Sequence, residues 1–282
     1  MTPLLKSSLL CLFLFAAGRA FSEGAIDLSK PVSQSLKPDT LYWPLDGGTV
    51  GEPLPIEVVD VSGNGFTGKL IAGKIHPEPV YAAGKFGTAV RFHGDTPPVT
   101  GDDGKETLRN PNPCIRWQLR DSPEMADGGK LDMAGKSFTA GLWIKVEKIN
   151  HGQIQTIMLM NRGYAPARQW GFMLAKDDMD AWTLRVQGSK NSEKTDALND
   201  SAWHHLAFSL DSKSGGESTV TYWLDGKVLG EPVTLPVAIA EPESDTERVF
   251  RVGERNVANF STGFAGLIDD VFVTTGVHTF QP

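Results

Sequence analysis

The sequence predicts an all-β fold, two antiparallel sheets packed face to face, and three observations carry the prediction. From Leu41 onward, apolar and polar residues alternate over short runs. Gly, Asp-Gly and Pro separate the runs, and these are the residues that turn a chain. No stretch sustains the 3.6-residue period of a helix. A set of half-buried strands without helices buries its apolar faces by closing into two layers.

Residues 1–20 read as an export signal. Lys6 gives a positive start, Leu9 to Ala17 is an apolar run of nine, and Gly18 and Ala20 place small residues before a cut at Phe21. The run is shorter than the roughly 20 residues that a bilayer-spanning helix needs, and no second such run follows, so no transmembrane segment is expected. Residues 21–38 are polar with two prolines and read as an arm or linker, leaving residues 39–282 as a single domain.

Within that domain the strands can be assigned by parity. Phe138, Ala140, Leu142, Ile144 and Val146 share one face, as do Trp170, Phe172 and Leu174, and then Trp182, Leu184 and Val186. Leu206, Phe208 and Leu210 do the same, followed by Val220, Tyr222 and Leu224. Asp225-Gly226 then tolerates the positive φ of a tight hairpin into Lys227. Phe264 to Val273 is the last long strand. Residues 95–136 interrupt this regularity with an insertion of 42 residues dense in Pro, Gly and Asp, its one strand-like piece at Cys114 to Leu119.

Composition narrows the function classes. With 27 Lys and Arg against 34 Asp and Glu, the formal charge is −7, and removal of Lys6 and Arg19 with the signal takes it to −9. An acidic surface disfavours nucleic-acid binding. Loss of Cys11 with the signal leaves Cys114 as the lone thiol, so no internal disulfide is expected.

Four segments, in order, resemble laminin-G-like or concanavalin A-like jelly rolls. Asp60-Val-Ser62-Gly63-Asn64-Gly65 with Gly68-Lys-Leu70 is similar to a D-x-S-G-N-G…G-x-L segment, and Gly84 to Phe92 to a G-x-x-G-x-A-x-x-F strand. Ser137 to Val146 resembles an S-F-T-x-x-x-W-V-K strand. Trp203-His-His-Leu-Ala, Tyr222-Trp-Leu-Asp225-Gly226-Lys and Phe264 to Val271 close the pattern. The resemblance implies the sandwich. It also implies one of several functions, since such folds serve as carbohydrate-binding modules, adhesion modules and a minority of glycosidases or lyases.

Asp60, Ser62 and Asn64 offer oxygens at alternate positions of a tight turn, as hard cations prefer, although the bidentate Glu of an EF-hand is missing where Ile71 stands. Asp269 has the parity of Leu267, Val271 and Val273, which puts a carboxylate on an apolar face. The resemblance implies that the first and last segments meet around a structural Ca²⁺, with Asp60, Asn64 and Asp269 as ligands. The alternative is a Gly-rich turn and an Asp that accepts backbone amides.

His204 and His205 are neighbours on a strand and point to opposite faces, so they cannot grip a metal together, and His204 reads as a satisfied core histidine. Gly135-Lys136-Ser137 precedes a strand rather than a helix and is no phosphate loop. The Glu57-Val-Val-Asp60 spacing does not match a sandwich-fold glucanase, and Asp177 to Asp180 reads as a hairpin turn, so no catalytic residue is assigned. Trp117, Tyr164 and Trp223 are the candidate ligand-binding aromatics, Trp143 and Trp223 having outward parity. The expected function is an exported non-enzymatic module that binds a carbohydrate or a cell-surface or extracellular partner. A glycan-cleaving enzyme or a structural envelope protein is the alternative.

Overall fold

The computed structural model of the protein describes residues 25–55, 57–71, 79–93, 99–100, 106–107, 114–118, 131–147, 154–160, 170–177, 179–186, 188–213, 216–236, 239, 249–253 and 264–282. Its strands open with β1 (Ile26–Asp27), β2 (Leu41–Trp43), β3 (Glu57–Val58), β4 (Gly68–Ile71), β5 (Val80–Ala83) and β6 (Thr88–His93). Inside the insertion lie β7 (Val99–Thr100), β8 (Glu106–Thr107) and β9 (Cys114–Gln118). The long strands follow: β10 (Phe138–Val146), β11 (Ile154–Met160), β12 (Trp170–Lys176), β13 (Trp182–Val186), β14 (Trp203–Ser212) and β15 (Ser218–Leu224). The chain closes with β16 (Lys227–Val228), β17 (Val233–Leu235), β18 (Val249–Val252), β19 (Ala265–Thr275) and β20 (Phe280–Gln281).

Two antiparallel sheets form the sandwich. One has nine strands, in the order β16-β15-β14-β10-β19-β6-β5 with β17 beside β15 and β2 beside β19. The other has seven, in the order β13-β12-β11-β18-β9-β4-β3. The residues grouped by parity in the sequence fill the space between them: Phe138, Leu142, Ile144, Phe172, Leu184, Phe208 and Tyr222 all belong to one core. Aromatic rings bridge the layers, Phe138 meeting Trp170 at 5.2 Å and Trp43 meeting Phe250 at 5.2 Å. The Asp225-Gly226 hairpin has φ of +49° and +79°, the doubled left-handed pair of a type I′ turn.

The strand-like piece expected at Cys114 to Leu119 is β9, which lies between β18 and β4 inside the seven-stranded sheet, and the insertion adds the antiparallel pair β7–β8. The arm differs from a free linker. Its β1 pairs in parallel with β20, and Ile26, Leu28 and Val32 are buried against Tyr42, Trp143, Trp223, Phe272 and Phe280. Three apolar side chains spaced over seven residues show no period, yet together they cover the outer face of the nine-stranded sheet.

Candidate functional site

The site predicted for a cation begins in the turn after β3. Gly63 and Gly65 take φ of +89° and +78°, which lets the backbone fold back on Asp60. Asp60 Oδ1 accepts the N–H groups of Tyr42 and Ser62, both at 3.0 Å. Its Oδ2 accepts the Ser62 hydroxyl at 2.8 Å and the Phe66 N–H at 3.0 Å. Four donors therefore occupy the four acceptor positions of this carboxylate. The Asn64 amide turns its NH₂ toward the carbonyls of Asp39 and Thr40, at 2.7 and 2.8 Å. This is the hydrogen-bonded turn, tying residues 60–66 to the start of β2. A cation at Asp60 would have to displace the four donors already in place, so Asp60 does not fit the role of an ion ligand.

Asp269 belongs to a different constellation. Opposite β10 the register of β19 slips: Trp143 faces Asp269, while Gly141 faces Phe272. The extra residue is Asp270, whose φ of +53° marks a β-bulge. A bulge breaks the period of two, so Asp269 does not share a face with Val271 and Val273 as its parity predicts. Those two valines point into the core between the sheets, and Asp269 stands beside Trp143 on the outer face.

Both carboxylates are buried there. Asp269 Oδ2 accepts the N–H groups of Lys85 and Phe86, at 2.8 and 3.0 Å, and its Oδ1 has no hydrogen-bond partner among the described residues. Burial, with the charges of Asp270 and Asp46 nearby, pushes its pKa up to about 8. Asp270 accepts the Val32 N–H of the arm at 2.9 Å and the Tyr42 hydroxyl. Burial pushes it up to about 6, against the pull of those two hydrogen bonds. No hydrogen bond links Asp60 to Asp269, and their donors come from separate segments. Among the described residues, no three His, Cys, Asp or Glu side chains gather as a metal site.

Trp223 and Trp143 face outward as their parity predicts, but neither offers an open ring. Phe280 covers Trp223 at 5.3 Å, and the indole N–H donates to Ser209 Oγ at 3.1 Å. Trp143 is enclosed by Phe86 and His205, with the Lys85 ammonium 4.3 Å from its ring. Trp223 is thereby corrected from ligand platform to packing residue, because the arm and β20 lie over it. Trp117 stands opposite Phe250 in the β9–β18 register, and its side chain lies outside the described residues. Tyr164 lies outside them entirely.

His204 is satisfied, as expected, though by carboxylates. Its Nδ1 lies 2.7 Å from Asp225 and its Nε2 3.0 Å from Asp200. The hydrogen bond to Asp225, ahead of that to Asp200, raises its pKa to about 9 against the burial penalty. His205, on the other face, packs among Trp143, Phe272 and Phe280, and burial lowers it to about 3. Asp177 makes the predicted turn between β12 and β13, accepting the N–H groups of Met179 and Ala181.

Sequence reasoning missed Asp270 and its hold on the arm. The signal was present in the Asp269-Asp270 doublet, since Asp is among the few residues that tolerate a left-handed backbone within a strand.

The architecture is similar to that of several solved structures. One is a sialidase from Trypanosoma rangeli in complex with a difluorinated keto-deoxy-nononic acid (11% identity, TM-score 0.46, covering 83% of this chain and 30% of that one). Another is the binding domain of botulinum neurotoxin DC in complex with rat synaptotagmin II (11% identity, TM-score 0.47, 83% and 47%). A third is the same toxin domain with SialylT (12% identity, TM-score 0.43, 83% and 47%). This chain thus spans less than half the length of each. No curated protein matches the sequence. The family model of the concanavalin A-like lectin/glucanases superfamily matches residues 123–279, more than half of the chain. With the two-sheet antiparallel sandwich and its strand order already in view, the chain belongs to the concanavalin A-like lectin/glucanase superfamily.

Proposed function

We propose that the protein is an exported, non-enzymatic binding module that recognises a carbohydrate or a cell-surface or extracellular partner. The observation that carries this reading is the match of residues 123–279 to a superfamily of lectins and glucanases. The signal-like residues 1–20 support export. On the nine-stranded sheet the arm and β20 occupy the outer face, so a glycan finds its open surface elsewhere. The test is capture on a glycan array by the chain without residues 1–20, with the length of each captured glycan measured afterwards. Capture of intact glycan supports the reading, and shortened glycan replaces it with the enzyme on the same fold.

The reading includes a structural calcium, with Asp269 as its ligand among the three residues first considered. Its support is the buried Oδ1, which has no hydrogen-bond partner among the described residues. A bound cation would supply charge compensation there and keep Asp269 ionised.

A further inference from the structure

The sandwich has an open seam where its two sheets end side by side. There β3 is the last strand of the seven-stranded sheet and β5 the last of the nine-stranded one. Between them lies a cavity of about 250 Å³. Its deep walls are Leu45, Leu54, Val58, Tyr81 and Val90, all members of the core that joins the sheets.

The mouth has a different chemistry. Asp46 and Glu57 are both exposed there, beside Val59 and Val61, which are 64% and 49% exposed. One Asp46 oxygen accepts the Thr88 N–H at 2.8 Å, and Glu57 makes no ion pair among the described residues. Among the described residues, no Lys, Arg or His lines the cavity. An apolar throat with carboxylates at its rim complements an aliphatic stem that ends in a cation. The size suits one side chain, being below the roughly 300–1,000 Å³ of pockets that take drug-sized ligands.

The backbone beside the cavity adds a second recognition element. As the end of its sheet, β3 has no strand on its far side among the described residues. Such an edge pairs with an extended chain. We propose that this seam binds a lysine side chain presented by an extended segment of a partner polypeptide, its stem in the cavity and its ammonium between Asp46 and Glu57. The inference is independent of the glycan reading, whose failure would leave it standing.

Amide-resolved NMR titration tests it with three probes: Nα-acetyl-lysine N-methylamide, its neutral norleucine counterpart, and pentylamine. The lysine derivative is expected to shift the amides of Val58, Val59 and Tyr81, and to bind about two- to fivefold more tightly than the norleucine derivative, within what exposed charge pairs supply. Glu57→Gln, an exposed change, should bring the lysine derivative close to the norleucine level and leave norleucine unaffected. A bulky Val61→Trp at the mouth should weaken both. Equal affinity for the two derivatives in the unaltered protein, or shifts confined to other residues, would overturn the proposal. Pentylamine binding as tightly as the lysine derivative would overturn the polypeptide partner.

Discussion

Asp270 stands under the arm and Asp269 under the Lys85-Phe86 turn, and burial makes each hold its proton more tightly than an ordinary aspartate. The consequence for stability follows from linkage. Where the folded pKa lies above the unfolded value of about 3.9, the folded state binds more protons, so stability falls as pH rises. The pair's contribution is complete below about pH 4, declines through about 6 as Asp270 ionises, and through about 8 as Asp269 does. Asp269→Asn should therefore flatten the melting temperature across pH 6–8 relative to the unaltered protein in chelator. Calcium, if held as proposed, should raise the melting temperature at pH 8 in the unaltered protein and leave Asp269→Asn unmoved. No calcium response, with no metal by elemental analysis, would contradict the cation and leave the proton as the only compensation. His204 behaves in the opposite range. Its stabilising charge is present in full below about 6.5 and lost as pH rises through about 9, so His204→Gln should remove an alkaline decline between pH 7 and 9.

At the scale of elements, the bulge in β19 decides what the outer face can hold. The extra residue turns Asp270 toward the arm, where it accepts the Val32 N–H and the Tyr42 hydroxyl. Asp270→Ala leaves both donors without an acceptor and should cost about 2–4 kcal/mol in urea unfolding, with earlier proteolysis of the arm. Asp270→Asn, which keeps an oxygen acceptor, should lose less. The bulge also marks how far periodicity can be read. Parity placed Phe138, Phe172, Phe208 and Tyr222 in the core, because an unbroken strand repeats every two residues. It misplaced Asp269, because one residue at φ +53° shifts every face assignment beyond it. The Asp60 turn was legible as a Gly-rich turn, while the identity of its partners was not. Those partners include the Tyr42 amide, 18 residues away in the chain, which only the fold brings near.

The whole molecule is a sandwich with a cover over the outer face of its nine-stranded sheet. On the nine-stranded sheet a strap of Ile26, Leu28 and Val32, locked by β1 and β20, encloses Trp143, Trp223 and Phe280. Asp39 staples the strap's exit to β19, accepting the Thr275 N–H at 2.9 Å and the hydroxyls of Thr274 and Thr275. Removing residues 21–38 should cost about 2–4 kcal/mol net, since lost apolar burial is partly offset by the entropy of a released segment. It should also increase binding of a hydrophobic dye and red-shift tryptophan emission, whereas unchanged dye binding would mean the strap is not a cover. The sequence pattern made the sandwich readable because it repeats over many strands, and each repeat reinforces the next. The strap left no such pattern: apart from Tyr42, the side chains that bury it are supplied more than 100 residues later in the chain, by Trp143, Trp223, Phe272 and Phe280.

The central claim is binding without cleavage, and product analysis on captured glycans tests it most directly. The chain without residues 1–20 is incubated at stoichiometric concentration with each glycan it captures, and the glycan is then sized by mass spectrometry. The account predicts saturable binding with every glycan recovered at its starting mass. Shortened products, abolished by changing a carboxylate, would contradict it.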